Sequence, residues 1–261
     1  MKRKNIVPNL ITSFGLACGL FVIFKANLRF VGPYQLLHGA SLLLLLAALA
    51  DVLDGTVARL IHAESEFGVI FDSLADAISF GVAPSVLFLR VLSLEVLSPL
   101  AFVSVLTAML FTIGGVLRLV RFSVTAEEET QKNFRGLPIP GAAACAVSAN
   151  LFLYSPLFKG WVELSMTTTT LILIALMLLL TYLMVSKWRF PSLKALHVPA
   201  PSPELIMGTV GIALALLYGM LYFFPLMAIV VSLSYVLIGW GISITHVVKR
   251  KKSGEFPDDD E

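Results

Sequence analysis

Charge is what this sequence has least of. Only 14% of its 261 residues are Asp, Glu, Lys or Arg, against about 25% in an ordinary soluble domain. That leaves too few polar side chains to cover a water-soluble globule, and it also excludes a disordered chain, which needs the reverse composition. Cysteine is scarce as well: Cys18 and Cys145 each sit inside an apolar run. They exclude a disulfide-stapled scaffold and read as small core hydrophobes. The four histidines, His38, His62, His197 and His246, stand singly and show no metal-ligand spacing. A net charge of +2 is too small to point to nucleic acid. No small-residue cleavage site follows Met1-Lys2-Arg3-Lys4, so the first apolar run is expected to be retained.

What fills the chain instead is apolar sequence, 57% of all residues, with a mean hydropathy of +0.89. A helix needs roughly 20 mostly apolar residues to cross a bilayer. Runs near 9–27, 36–61, 67–92, 97–121, 139–158, 167–186, 205–223 and 225–247 meet that need. Pro33, Pro99, Pro156, Pro191, the cluster Pro199/Pro201/Pro203, and Pro225 fall at or near the breaks, as expected of residues that end helices. The fold class expected is therefore an all-α polytopic membrane protein of about eight spans. The threonine run 167–170 fits the start of a helix at the interface. The acidic tail ending in Asp258-Asp259-Asp260-Glu261 has no geometry with which to hold an ion.

Orientation follows from the basic residues in the connections. With the N-terminus in the cytoplasm, the inner segments carry Lys2 to Lys4, Arg59, Arg118, Arg121, Lys132, Arg135, Lys187, Arg189, Lys194 and Lys249 to Lys252. These are fifteen of the 19 Lys and Arg residues. Lys25, Arg29, Arg90 and Lys159 fall outside. Both termini are expected to be cytoplasmic.

Against this background Asp51, Asp54, Asp72 and Asp76 stand out. An aspartate at the bilayer centre costs about 2.5–3.5 kcal/mol on insertion scales. All four fall in the cytoplasmic halves of the second and third runs, reachable from the cytosol. At about 100° per residue, Asp54 lies about 60° from Asp51 on one side, with Gly55 about 40° away on the other and Ala58 about 20° away. In the third run Gly68, Asp72 and Asp76 follow at i, i+4, i+8. If the two faces meet, four carboxylates converge beside exposed backbone. Four bare anions cannot persist there, and Arg59 and Arg90 are too few to pair with them. Oxygen-only ligation suits Mg²⁺, Mn²⁺ or Ca²⁺, and two carboxylate pairs suit a two-metal site. A proton- or cation-coupled transporter would use such acids as a relay. Its acids would be spread across the membrane, whereas these gather in one half, and no acid lies within the expected spans after residue 122.

Written out, the stretch is Asp51-x2-Asp54-Gly55-x2-Ala58-Arg59-x8-Gly68-x3-Asp72-x3-Asp76. It resembles the signature of the CDP-alcohol phosphotransferase family at every fixed position and spacing. Four further stretches are similar to the branch of that family that uses serine as acceptor. They are Pro8-Asn9-Leu10-Ile11-Thr12 with the extension from Asp72 to Pro84, Arg118-Leu119-Val120-Arg121-Phe122, and Phe134-Arg135-Gly136-Leu137-Pro138-Ile139-Pro140.

The resemblance implies transfer of the phosphatidyl group of CDP-diacylglycerol to the hydroxyl of L-serine, giving phosphatidylserine and CMP. The same family with another acceptor (glycerol 3-phosphate, inositol phosphate or choline) stays open, as does the transporter. It implies a six-helix core over residues 1–190, leaving a two-helix addition over 191–248 and a charged cytoplasmic tail over 249–261. It implies an integral enzyme of the plasma or inner membrane facing the cytoplasm, a homodimer, and two divalent ions, Mg²⁺ or Mn²⁺. By resemblance Asp51, Asp54 and Asp72 are metal ligands, and Asp76 combines ligation with deprotonating the acceptor hydroxyl. Gly55, Ala58 and Gly68 would leave room for the nucleotide, with Arg59 pairing with phosphate, Ser65 donating to it, and Asn9 and Thr12 on one face beside it. Arg118, Arg121 and Arg135 are candidates for serine carboxylate or lipid phosphate, against an ordinary role as positive-inside anchors.

Overall fold

A computed structural model describes residues 6–28, 32–63, 65–92, 94–95, 98–125, 134–186, 188–190, 219 and 222–252. Long apolar runs start and stop as helices where proline and serine direct them. Helix α1 spans Ile6–Asn27. Helix α2 spans Pro33–Leu60 and opens on a proline, where the missing N–H costs nothing. Helix α3 spans Glu66–Asp76, and its first turn is capped by Ser65, whose hydroxyl accepts from the Gly68 N–H. A π-helical turn, Ala77–Val82, continues it into α4, Ala83–Val91. Helix α5 is Pro99–Thr125, α6 Ile139–Leu153, α7 the single turn Pro156–Lys159, and α8 Met166–Val185. The last described helix, α9, is Phe224–Lys252.

Six of these segments are long and apolar enough to cross a membrane. Their outward faces carry large hydrophobics: Leu10, Leu60, Phe102 and Val124 are 69–74% exposed, as expected of side chains that lie against lipid rather than water. The threonine run does begin a helix. Ser165 caps α8, and the Thr169 and Thr170 hydroxyls turn back to the carbonyls of Ser165 and Met166 at 3.1 and 2.8 Å.

Two expectations need correction or completion. The run 139–158 is not one span: α6 stops at Leu153 and rises only about 22 Å, short of the ~30 Å hydrocarbon core. The cause is Tyr154-Ser155-Pro156, where Ser155 starts a new turn and the Tyr154 hydroxyl donates to the Val91 carbonyl at 3.0 Å. Helix α6 is buried along nearly its whole length and serves as the central post of the bundle. The run 205–223 falls almost entirely outside the described residues.

Helices approach closely where side chains are small. Gly15 of α1 rests against Ala47 and Ala50 of α2, and Gly115 of α5 faces Ile139 of α6. The π turn is held the same way. Its Gly81 carbonyl accepts from the hydroxyls of Ser85 at 3.0 Å and of Thr112 of α5 at 3.3 Å, which ties the turn to α5. Ser79 of that turn seats against Gly19 of α1. A Cβ at residue 19 would come within 2.8 Å of the Ser79 Cα and Cβ. Gly19→Ala should therefore cost about 1–3 kcal/mol through overpacking. The apparent melting midpoint of the purified protein in detergent would drop by about 5 °C. Gly241→Ala, where a Cβ meets nothing within 4 Å, should hold or raise it; equal midpoints for the two variants would refute the close packing.

One short antiparallel pair joins the segment before α6 to the segment after α8, and its second strand packs on α9. Phe134–Arg135 lies opposite Arg189–Phe190, with Arg135 across from Arg189. Gly136 follows at φ +84°, a conformation that favours glycine. Its N–H donates to the Trp188 carbonyl at 2.7 Å.

Candidate active site

Only five residues separate α2 from α3, and both aspartate-bearing helices pack on α1. Their apolar faces turn to lipid and their acidic faces turn inward against α1. Asp51, Asp54, Asp72 and Asp76 all line one cavity, with Thr12 and Gly15 of α1 and Ser79 and Phe80 of the π turn. Carboxylate oxygens of Asp51, Asp72 and Asp76 lie within 4.8 Å of one another. Asp54 shares the cavity but is tied elsewhere. It is 4% exposed and accepts from the Thr12 Oγ1–H at 2.5 Å.

The three close carboxylates could hold a metal ion. They are hard oxygen donors with no nitrogen or sulfur among them, so the set fits a cation of the Mg²⁺, Mn²⁺ or Ca²⁺ type. Three acids at such separation also require a positive partner of some kind.

Next to the acids the structure leaves room and donors. A Cβ at Gly55 would meet nothing within 4 Å, whereas one at Gly68 would face Ser65 Oγ at 3.2 Å and Asn9 Oδ1 at 3.5 Å. Asn9, Ser65 and Gly68 thus lie against one another, and the Asn9 Nδ2 group is buried with no acceptor among the described residues. Ser65 accepts from Gly68 N–H at 3.2 Å, which leaves its own O–H free to donate outward. Ala58 is half-buried on the same helix, and Arg59 is exposed.

The arginines divide. Arg118 of α5 lies in the electrostatic field of Asp76 and Asp51, its guanidinium 5.7 Å over the Phe122 ring. Its Nε is buried and donates to nothing among the described residues. Arg121 donates from Nη1 to the Val185 carbonyl at 3.1 Å, closing the end of α8. Arg135 is seen only through its backbone, opposite Arg189. Sequence spacing brought none of two further features to notice: the Thr12–Asp54 bond between α1 and α2, and Tyr235 of α9, which lies in electrostatic range of Arg118. The Asn9/Thr12 face was the available signal for the first. A tyrosine within an apolar run gave none for the second.

Comparison with known proteins decides the family. The sequence model described as CDP-alcohol phosphatidyltransferase matches residues 5–248. The chain belongs to the CDP-alcohol phosphatidyltransferase family. Among similar proteins is a Bacillus subtilis one named CDP-diacylglycerol–serine O-phosphatidyltransferase, 36% identical over 190 residues, covering 73% of this chain and 92% of that one. A Helicobacter pylori protein of the same name is 35% identical over 189 residues, covering 72% and 73%. An archaetidylserine synthase of Methanothermobacter thermautotrophicus is 41% identical over 137 residues, covering 50% and 54%. As a CDP-alcohol phosphatidyltransferase the chain is an integral membrane enzyme of phospholipid synthesis.

Proposed function

We propose that this enzyme transfers the phosphatidyl group of CDP-diacylglycerol to the hydroxyl of L-serine, releasing CMP and leaving phosphatidylserine in the membrane. The observation that carries the reading is the convergence of Asp51, Asp72 and Asp76 within 4.8 Å, on a chain whose relatives are named for that reaction.

Serine's oxygen attacks the phosphorus that bears the diacylglycerol, and the bond from that phosphorus to the CMP oxygen breaks. Asp76 takes the hydroxyl proton as the new P–O bond forms. A carboxylate is a weak base for an alcohol, so transfer must accompany attack, with the hydroxyl held in hydrogen-bond reach. Two divalent ions, Mg²⁺ or Mn²⁺, held by Asp51, Asp54, Asp72 and Asp76 would neutralise the pyrophosphate and stabilise the leaving CMP. Thr12 fixes the Asp54 carboxylate by its hydrogen bond. Gly55, Ala58 and Gly68 admit the nucleotide against the backbone, and Asn9 Nδ2 and Ser65 O–H are donors to it. Arg59 meets a phosphate, while Arg118, Arg121 and Arg135 serve the serine carboxylate or the lipid phosphate.

The enzyme works in the plasma or inner membrane as a homodimer. Both termini and the carboxylate cavity face the cytoplasm, where fifteen of the 19 basic residues also fall. Residues 1–190 form the transferase core, 191–248 an added two-helix unit and 249–261 a charged tail.

The test is CMP release by the purified protein with CDP-diacylglycerol and Mn²⁺ or Mg²⁺. L-serine, glycerol 3-phosphate, inositol phosphate and choline are offered one at a time. Release with serine alone is expected. Release with another acceptor alone would overturn serine and keep the transfer chemistry.

A further inference from the structure

The two helices that carry the acids scarcely pack on one another, and each packs on α1 instead. The separation of their acidic faces is therefore set by what α1 touches on either side. On one side buried Thr12 meets α2. Its hydroxyl donates to Asp54 Oδ2 at 2.5 Å in preference to the Pro8 carbonyl at 3.1 Å, because one proton serves the shorter, charged acceptor. Among the described residues this is the one side-chain hydrogen bond to any of the four aspartates. One turn along the same face of α1, Gly15 rests on Ala47 and Ala50 of α2, and its carbonyl accepts from the Ser79 hydroxyl at 3.4 Å. Ser79 is buried, belongs to the π turn that continues α3, and is seated against Gly19. Thr12, Gly15 and Ser79 all line the carboxylate cavity. Between Asp54 and the turn that follows Asp76, the path thus runs through two hydroxyls and one turn of α1.

The gap so fixed is the one a cation has to span. Asp51 belongs to α2, Asp72 and Asp76 to α3, and their oxygens come within 4.8 Å of one another. Mg²⁺ demands bonds of about 2.0–2.1 Å in a near-ideal octahedron, whereas Ca²⁺ accepts about 2.3–2.6 Å and irregular shells. A small drift between α2 and α3 therefore costs the smaller ion more than the larger one.

Resting on the carboxylates as a cation seat, we propose that Thr12 and Ser79 are positioning residues for the metal. Through α1 their hydroxyls hold α2 and the π turn at the separation that favours Mg²⁺ over Ca²⁺. Helix α1 is thereby the strut that sets the ion selectivity of the site.

The experiment uses the full-length protein in detergent without substrate. Mn²⁺ binding is read by electron paramagnetic resonance, and Mg²⁺ or Ca²⁺ is then titrated in to displace it. Thr12→Val keeps the shape of the side chain but not the proton. It should weaken Mg²⁺ roughly tenfold, the low end of what losing an outer-shell partner costs a metal site, with Ca²⁺ within about twofold. Thr12→Ser, which keeps the hydroxyl, should match the wild type. Ser79→Ala, whose hydrogen bond is longer, should weaken Mg²⁺ about threefold. The two ties act in series, so the double variant should be no worse than Thr12→Val alone. Four results would each overturn the role of the hydroxyls and leave the cation seat standing. They are unchanged Mg²⁺ binding in Thr12→Val, equal losses of Mg²⁺ and Ca²⁺, a Thr12→Ser variant as weak as Thr12→Val, and multiplied losses in the double variant. A wild type that binds no Mn²⁺ would overturn the seat and the strut together.

Discussion

Asp76→Asn should abolish phosphatidyl transfer, lowering kcat by about a thousandfold or more, while the protein stays folded and still binds CDP-diacylglycerol. Asparagine keeps the size of the side chain and an oxygen that can face a cation, but it cannot accept a proton. Loss of a positioned general base alone is worth about 10²–10⁴ in rate. In this cavity the same change also removes one of three anionic oxygens that lie within 4.8 Å of one another. The two losses separate by titration. If Asp76 serves only as a ligand, raising Mn²⁺ should restore much of the rate, because mass action refills a weakened site. If it is the base, no concentration of metal helps. Recovery to near wild-type kcat at high Mn²⁺ would remove Asp76 from the proton transfer. Asp72→Asn is the natural comparison, since Asp72 sits one turn earlier on α3 and is assigned no proton: its loss should be the one that metal repairs.

How much of this was legible before any coordinates follows from what a helix makes periodic. Charges inside apolar runs are conspicuous because they are costly, and the spacing of Asp51, Asp54, Asp72 and Asp76 alone places them on two faces. The structure brings those faces together around one cavity. The 100° periodicity also put Asn9 and Thr12 on one side of α1, the side that meets Gly68 and Asp54. What periodicity could not give was which helices touch. The Thr12–Asp54 bond joins residues 42 apart in sequence, and the Ser148 and Ser232 hydroxyls that meet at 2.7 Å are 84 apart. The π turn at Ala77–Val82 was invisible for a different reason. It shifts backbone register without changing hydropathy, and the Ser85 and Thr112 hydroxyls that donate to its Gly81 carbonyl look like ordinary small residues. The end of α6 was hidden by continuous hydropathy through Leu153-Tyr154-Ser155-Pro156, although the Ser-Pro step carried the stop signal.

Exhaustive chelation should reduce CMP release to background, and Mg²⁺ or Mn²⁺ should restore it. The reason lies in the balance of charge rather than in family habit. Asp51, Asp72 and Asp76 face a substrate whose pyrophosphate is itself anionic, so with the carboxylates ionised the cavity would repel the group it has to bind. Arg118 is the one basic side chain that the described structure places in the field of these acids. One guanidinium cannot offset three carboxylates together with a pyrophosphate, and Arg121 is turned to the Val185 carbonyl. Binding of CDP-diacylglycerol should therefore weaken together with the rate when the ions are removed, by more than tenfold. This distinguishes chelation from Asp76→Asn, which is expected to spare binding. Ca²⁺ gives a sharper version of the same test. It accepts the same oxygen donors but prefers longer bonds and higher coordination, so it should restore nucleotide-lipid binding more fully than it restores turnover. Full activity after exhaustive chelation would mean that the carboxylates are neutralised by protons instead, and Asp76 could not then be the resting base.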